Sequence, residues 1–203
     1  MKKFDAIIIG TGQAGPSLAA RCASEGLETA VIEKDKFGGT CVNTGCTPTK
    51  AMVASARAAY MAKRGNEFGV EINGEISVNL KKVKSRKNKL VHNSTEGIES
   101  WLRGAENLSV IEGHARFTDN HTVQVGKKIL TADKIFINTG AHPYVPSALR
   151  EVDYMTNAEI MELEEVPDHL IIVGGSYIGL EFGQMFRRFG SEVTIIEQGE
   201  EII

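Results

Sequence analysis

Two cysteines, Cys41 and Cys46, stand five positions apart in the stretch Gly38-Gly39-Thr40-Cys41-Val42-Asn43-Thr44-Gly45-Cys46-Thr47-Pro48-Thr49-Lys50. A close thiol pair can be a structural bridge, two inert thiols or a dithiol that trades electrons. In a regular helix, residues five apart are separated by about 7.5 Å along the axis and face different sides. A disulfide wants Cα atoms roughly 4.4–6.8 Å apart. If the two bond, the backbone between them departs from a helix, and Gly45 makes that accessible. Pro48 suits the first turn of a following helix, which puts Cys46 at or just before its start. A helix N-terminus favours an anion and lowers a thiol pKa. Cys46 is then expected to be the stable thiolate and Cys41 the sulfur left to react. Zinc wants four ligands, and no Cys or His pair of finger spacing lies nearby, so no metal site is expected.

The second chemical signal is a glycine turn. Phe4–Ile9 reads as a buried strand and runs into Gly10-Thr11-Gly12-Gln13-Ala14-Gly15. A helix from Pro16 to Glu25 and a strand from Thr29 to Ile32 follow, closing on Glu33, 18 residues after Gly15. In such a βαβ unit Gly10 allows the tight turn, and Gly12 lets backbone approach a pyrophosphate. Gly15 lets the helix pack close to the strand, and the acid accepts hydrogen bonds from a ribose diol. Cys22 reads as a small core residue of the helix.

The same pattern returns near the end. A strand from Asp168 or His169 to Val173 runs into Gly174-Gly175-Ser176-Tyr177-Ile178-Gly179, a helix to about Phe189, and a strand from Glu192 to Ile196. Glu197 stands 18 residues after Gly179. Ser176 replaces the middle glycine and is small enough to keep a pyrophosphate approach open. Two dinucleotide turns flanking a cysteine pair suggest electron flow between two nucleotides and a disulfide, the first turn holding a flavin and the second a nicotinamide.

The elements between position these groups. Residues 48–64 read as a helix with Ala51, Met52, Ser55, Ala56 and Ala59 inward, and residues 65–74 as a loop. Residues 78–102 read as a long helix, broken near Gly97, whose lysines and arginine (Lys81, Lys82, Lys84, Arg86, Lys87, Lys89) form a solvated face. Leu108–Arg116 and His121–Leu130 read as short antiparallel strands, and Asp133–Asn138 as an apolar strand ending in Thr139-Gly140. Residues 144–156 are a connector and 157–163 a short helix.

The 203 residues are enough for one large domain or two small ones. A net charge of −3 gives no global argument for nucleic acid or an anionic membrane surface. No stretch reaches the roughly 18 apolar residues of a membrane span, and no signal-peptide pattern opens the chain. The expected compartment is cytoplasmic, where a close cysteine pair points to redox chemistry rather than to a staple.

The stretch 38–50 resembles the redox signature of the pyridine nucleotide-disulfide oxidoreductases, which include mercuric reductase, dihydrolipoamide dehydrogenase and glutathione reductase. The resemblance covers essentially the whole chain and leans to the mercuric reductase-like branch, with Thr44 and Thr47 standing where apolar residues are common. It implies an α/β fold. Residues 1–150 would form a Rossmann-like FAD-binding domain, a parallel sheet with an inserted antiparallel meander. Residues 151–203 would begin a second, NAD(P)-binding domain of the same kind. It implies FAD on Gly10, Gly12, Gly15 and Glu33, with Gln13, Ala14 and Lys34 beside them, and on the Gly39-Thr40 loop. Adenine contacts fall near His114-Ala115, and a flavin-side contact at Thr139-Gly140. Cys46 matches the thiolate beside the flavin, Cys41 the interchange thiol. Lys50 and Glu181 match a pair near the flavin, and Tyr177 an aromatic gating the nicotinamide pocket. Gly174, Ser176, Gly179 and Glu197 take the nicotinamide cofactor, and Glu197 favours NAD over NADP because a carboxylate repels a 2′-phosphate.

What the resemblance implies is a flavoenzyme passing electrons from NAD(P)H through FAD to a Cys41–Cys46 disulfide, and on to a small disulfide, metal ion or other oxidant. The different-class alternative is a nucleotide-binding module whose disulfide switches a conformation. Only roughly 35 residues of the second nucleotide domain are present, below the size that usually folds alone. The chain is therefore expected to be a fragment of a longer homodimeric enzyme, with weak or absent FAD retention and no turnover of its own. None of the five histidines, His92, His114, His121, His142 or His169, stands where an acid–base partner would.

Overall fold

A computed structural model describes residues 1–202. Ile203, the last residue of the segment read as the start of a second domain, lies outside the described residues. The chain divides into two compact units, Met1–Thr47 with Val91–Tyr154, and Pro48–Leu90 with the chain from Met155 onward.

In the first unit, β1 (Lys2–Ile9), β2 (Thr29–Glu33), β3 (Leu108–Glu112), β4 (Ala115–Asp119), β5 (Thr122–Val125) and β6 (Lys128–Ile137) form one sheet in the order β3-β2-β1-β6-β5-β4. The first four in that order are parallel, and β4, β5 and β6 form an antiparallel meander. Ala6, Ile7 and Ile8 are fully buried because β1 is central and covered on both faces. Side chains alternate between two cores. Phe4, Ile7, Ala30 and Ile32 meet Val123, Val125 and Leu130 on one face. Ala6, Ile8 and Val31 meet Ala19 of α1 (Gly15–Ser24) and Leu102 on the other. The expected α/β class and inserted meander are both present.

Several local expectations are corrected. The segment read as one strand over 108–116 is two, parted at Gly113, and β3 pairs parallel with β2 rather than in a hairpin. The strands read over 121–130 and 133–138 are β5 and a single longer β6. A helix, α4, runs unbroken over Leu80–Arg103, since Gly97 lies in open space and leaves the hydrogen-bond ladder intact. The segment 157–163 forms a single 3-10 turn, Glu159–Glu162.

In the second unit, β7 (His169–Val173) and β8 (Glu192–Ile196) pair in parallel across α5 (Tyr177–Phe189). Leu170, Phe182, Met185, Phe186 and Phe189 share a core with Met52 and Ala56 of α3 (Cys46–Lys63) and with Leu80 and Met161. That shared apolar face groups residues 48–90 with the second βαβ unit rather than with the first 150 residues.

The basic stretch of α4 is not simply a solvated face. Lys84 donates to the Glu162 carbonyl at 2.8 Å and pairs with Glu164. Arg86 donates to the Ala51 carbonyl at 2.8 Å. The Lys87 side chain is only 3 % exposed and is ion-paired with Glu162. A buried ammonium is costly once its partner is gone. Glu162→Ala is expected to destabilise by about 2–3 kcal/mol, whereas Lys87→Met removes the charge, fills the space and should cost under about 1 kcal/mol. Urea unfolding of the two variants measures the contrast, and equal losses would refute it.

Candidate functional site

The parallel strands of the first unit all end on one edge of the sheet, the edge where α/β folds bind ligands. Gly10 follows β1 there. Its φ is +104°, and a Cβ would lie 2.2 Å from the Asn138 carbonyl oxygen at the end of β6. Gly15 opens α1 so close to the strand end that a Cβ would lie 2.1 Å from the Gly10 carbonyl oxygen. Gly39 lies against the turn from the other side, its absent Cβ falling 2.7 Å from the Gly12 Cα. These approaches leave backbone, not side chains, to line the turn, which suits a pyrophosphate. Asn138 N bonds the Ile9 carbonyl, bringing Thr139-Gly140 beside Gly10. Gly113 N bonds the Glu33 carbonyl at 2.7 Å, bringing His114-Ala115 beside the end of β2. The expected residues of the first unit thus converge on one edge.

Glu33 is buried and already engaged. Oε2 accepts from the Thr11 amide at 2.8 Å and from the Thr11 hydroxyl. Oε1 accepts from the Lys34 amide at 2.8 Å and the Asp35 amide at 3.0 Å. A carboxylate offers about four lone-pair sites, so any further donor must displace one of these. Burial pushes the Glu33 carboxyl up, but the hydrogen bonds together outweigh it, and the net value lies below the ordinary 4.5. A carboxyl lowered by folding contributes stability that is fully present above its unfolded value and is lost as pH falls through the folded one. Wild type is therefore expected to melt above Glu33→Gln at neutral pH, with the gap closing as pH drops below 4.5. A gap of constant size across melts from neutral pH to strongly acidic solution would refute this.

The cysteines sit at a break between two helices. Cys41 lies in the five-residue α2 (Gly39–Asn43), and Cys46 is the first residue of α3. The chain folds back between them. A Cβ on Gly45 would lie 2.9 Å from the Thr40 carbonyl oxygen and 3.2 Å from the Cys41 Cα. Gly45 is required here for space. Both thiols are free, Cys41 half-buried and Cys46 exposed. The Cys41 thiol is held above its ordinary value, first by the hydrogen bond its S–H makes to Cys46, then by burial.

Asn43 holds this segment. Its Nδ2 donates to the Phe37 carbonyl at 3.0 Å and the Gly39 carbonyl at 2.9 Å, while its Oδ1 accepts from the Thr95 hydroxyl at 3.2 Å. Neither Asn43 nor Thr11 is marked by residue type or spacing as more than a member of its motif. Their positions inside the two motifs were the available signal.

The second unit repeats the turn. Gly174 has φ +110°, and a Cβ on Gly179 would lie 2.1 Å from the Gly174 carbonyl oxygen. Ser176 caps α5 in extended backbone. Glu197 accepts from the amides of Gly175 at 2.7 Å, Gln198 at 2.7 Å and Gly199 at 2.9 Å, which hold its carboxyl below the ordinary range. Tyr177 is largely exposed at the helix start. Glu181, one turn on, is ion-paired with Lys50 of α3. No group of acidic, histidine or cysteine side chains suited to a metal ion occurs among the described residues. No described helix is long and apolar enough to cross a membrane.

Comparison with known proteins places this geometry. The chain is 35 % identical to a mercuric reductase of Lysinibacillus sphaericus, covering 98 % of this chain and 37 % of that protein. It is 36 % identical to a dihydrolipoyl dehydrogenase of Bacillus subtilis (strain 168), covering 97 % and 44 %. The structure of the HOCl-induced flavoprotein disulfide reductase RclA from Escherichia coli superposes with a TM-score of 0.84 at 35 % identity, covering 98 % of this chain and 43 % of that one. The chain thus spans under half the length of these relatives. Residues 4–203 match the family described as pyridine nucleotide-disulphide oxidoreductase, and it is to this family that the chain belongs.

Proposed function

We propose that this chain carries the dinucleotide turn and redox-active cysteines of an NAD(P)H-dependent flavoprotein reductase. The observation that carries the proposal is the placement of the cysteines: Cys41 lies in α2, whose first residue, Gly39, abuts Gly12 of the glycine turn, and Cys46 opens α3 just beyond the break. FAD, when bound, supplies the two-electron carrier between nicotinamide and sulfur.

The turn fits such a group, because three missing Cβ atoms open it to backbone approach. The amides of Gly12, Gln13, Ala14 and Gly15 would hold the pyrophosphate at the start of α1. Glu33 and Lys34 would meet the ribose, Gly39-Thr40 and Thr139-Gly140 the flavin side, and His114-Ala115 the adenine. Cys46 would be the sulfur beside the flavin, and Cys41 the interchange thiol that meets the substrate. The substrate class is a small disulfide, metal ion or other oxidant. In the second unit, Gly174, Ser176, Gly179 and Glu197 would take the nicotinamide cofactor, with Tyr177 over its pocket and the Lys50–Glu181 pair supplying fixed charge. The ionised Glu197 favours NADH, since it repels a 2′-phosphate.

The test is flavin loading. A longer protein that carries these residues and extends to the length of the family members, purified with FAD and desalted, should be yellow, be bleached by NADH, and gain two titratable thiols. Protein that stays colourless at saturating FAD would overturn the proposal in favour of a nucleotide-binding module without turnover.

A further inference from the structure

The two glycine turns differ at one position. In both, the amide after the first glycine donates to the acid at the end of the second strand: Thr11 to Glu33 at 2.8 Å, and Gly175 to Glu197 at 2.7 Å. Only the first turn has a side chain there. Thr11 is fully buried. Its hydroxyl donates to Glu33 Oε2 and accepts from the Gly38 amide at 3.2 Å. Gly38 precedes α2, the helix that holds Cys41. One hydroxyl therefore bridges the strand-end carboxylate and the loop that enters the cysteine helix.

We propose that Thr11 is a positioning residue that transmits occupancy of Glu33 to the Gly38–Gly39 loop. The inference rests on the nucleotide reading of the first turn. Glu33 is saturated by four protein donors, three of them backbone amides fixed by the strand end and turn. The Thr11 hydroxyl is the donor that can leave by rotating about one bond. A ribose hydroxyl arriving at Oε2 competes with it. As the hydroxyl turns away, its oxygen no longer faces the Gly38 N–H with the same geometry, and hydrogen bonds weaken steeply with misalignment. Asn43, clamped to the Phe37 and Gly39 carbonyls, keeps the rest of the loop in place. The response is thus confined to the Gly38 amide, which lies between the two clamped carbonyls and precedes α2.

The experiment is amide exchange at Gly38 by NMR on the 203-residue chain, with and without ADP as the probe. Without nucleotide, Thr11→Val keeps the volume and removes both hydrogen bonds. Gly38 should exchange roughly tenfold faster, the weight of about one hydrogen bond. Thr11→Ser should restore the wild-type rate, and Thr11→Ala should match valine if valine packs poorly. With saturating ADP, wild type and Thr11→Ser should show faster Gly38 exchange by several-fold, and Thr11→Val no change although ADP still binds. Equal exchange in wild type and Thr11→Val without ADP overturns the latch. An ADP response that survives in Thr11→Val overturns the coupling. Failure of ADP to bind wild type instead brings down the nucleotide reading of the turn, and the latch is then decided by the nucleotide-free comparison.

Discussion

Cys46→Ala should abolish intramolecular disulfide formation and leave Cys41 a more ordinary thiol. The chain has three cysteines. Mild oxidation of wild type should consume the Cys41–Cys46 pair and leave Cys22 as the single free thiol. The variant, with Cys22 and Cys41, should keep both under the same conditions. Cys22, on α1, packs against the core on the face opposite Phe4 and Ile7 and offers no substitute partner. The second expected change follows from what raises the Cys41 thiol: first the hydrogen bond to Cys46, then burial, then the neighbouring charge. Alanine removes the first and third and leaves the second. The pH midpoint for alkylating Cys41 should therefore move down in the variant. In flavin-loaded protein the long-wavelength absorbance that appears on two-electron reduction should vanish with Cys46 and persist with Cys41→Ala. Retention of that band in Cys46→Ala would exchange the roles assigned to the two sulfurs. Thiol counting after oxidation is independent of flavin and tests the pair by itself.

What could be read from the residues was whatever short-range chemistry dictates. The run from Phe4 to Ile9 announces a strand because it is apolar over a length too short for a helix. The spacing from Gly10 to Glu33 announces the βαβ unit. The glycine and proline around the cysteines announce a bend and a helix start, and Cys46 indeed opens α3. What was hidden depends on partners far along the chain. Leu108–Glu112 alternates like any half-buried strand, and nothing local says that its partner is β2, in parallel, rather than the strand after it. α2 is five residues long, less than two turns, so no periodicity could reveal it. Lys87 looks like its neighbours in a basic run until Glu162, 75 residues on, is brought to it. Thr11 is invisible for a related reason. The fingerprint names glycines because they permit backbone approaches, while its intervening positions are left free. Whether a hydroxyl at one of them does anything depends on a strand end 22 residues away and a loop 27 residues away.

Gly10→Ala should be among the most damaging single substitutions in the first unit, and the reason separates into two parts that can be measured apart. The residue sits at φ +104°, where an L side chain is strained, and its Cβ would lie 2.2 Å from the Asn138 carbonyl oxygen and 2.9 Å from that carbonyl carbon. Backbone atoms cannot rotate aside as a side chain can. Asn138 is also fixed twice over, through its amide to the Ile9 carbonyl at 2.8 Å and through Nδ2 to the Gly10 carbonyl at 3.3 Å. Relief of the clash therefore requires β1 and β6 to part at the edge where both end, in the middle of the sheet. A loss above about 4 kcal/mol is expected, the range reserved for core disruption and backbone strain combined. Gly26→Ala supplies the control, since Gly26 has φ +82° and open space around its missing Cβ. It should cost only the conformational part, about 1–2 kcal/mol. Urea unfolding of both variants gives the difference, which is the price of crowding the strand ends. If the two losses were equal, the turn would be yielding freely, and the close approach of Gly10 to Asn138 could not be what holds the glycine turn in shape.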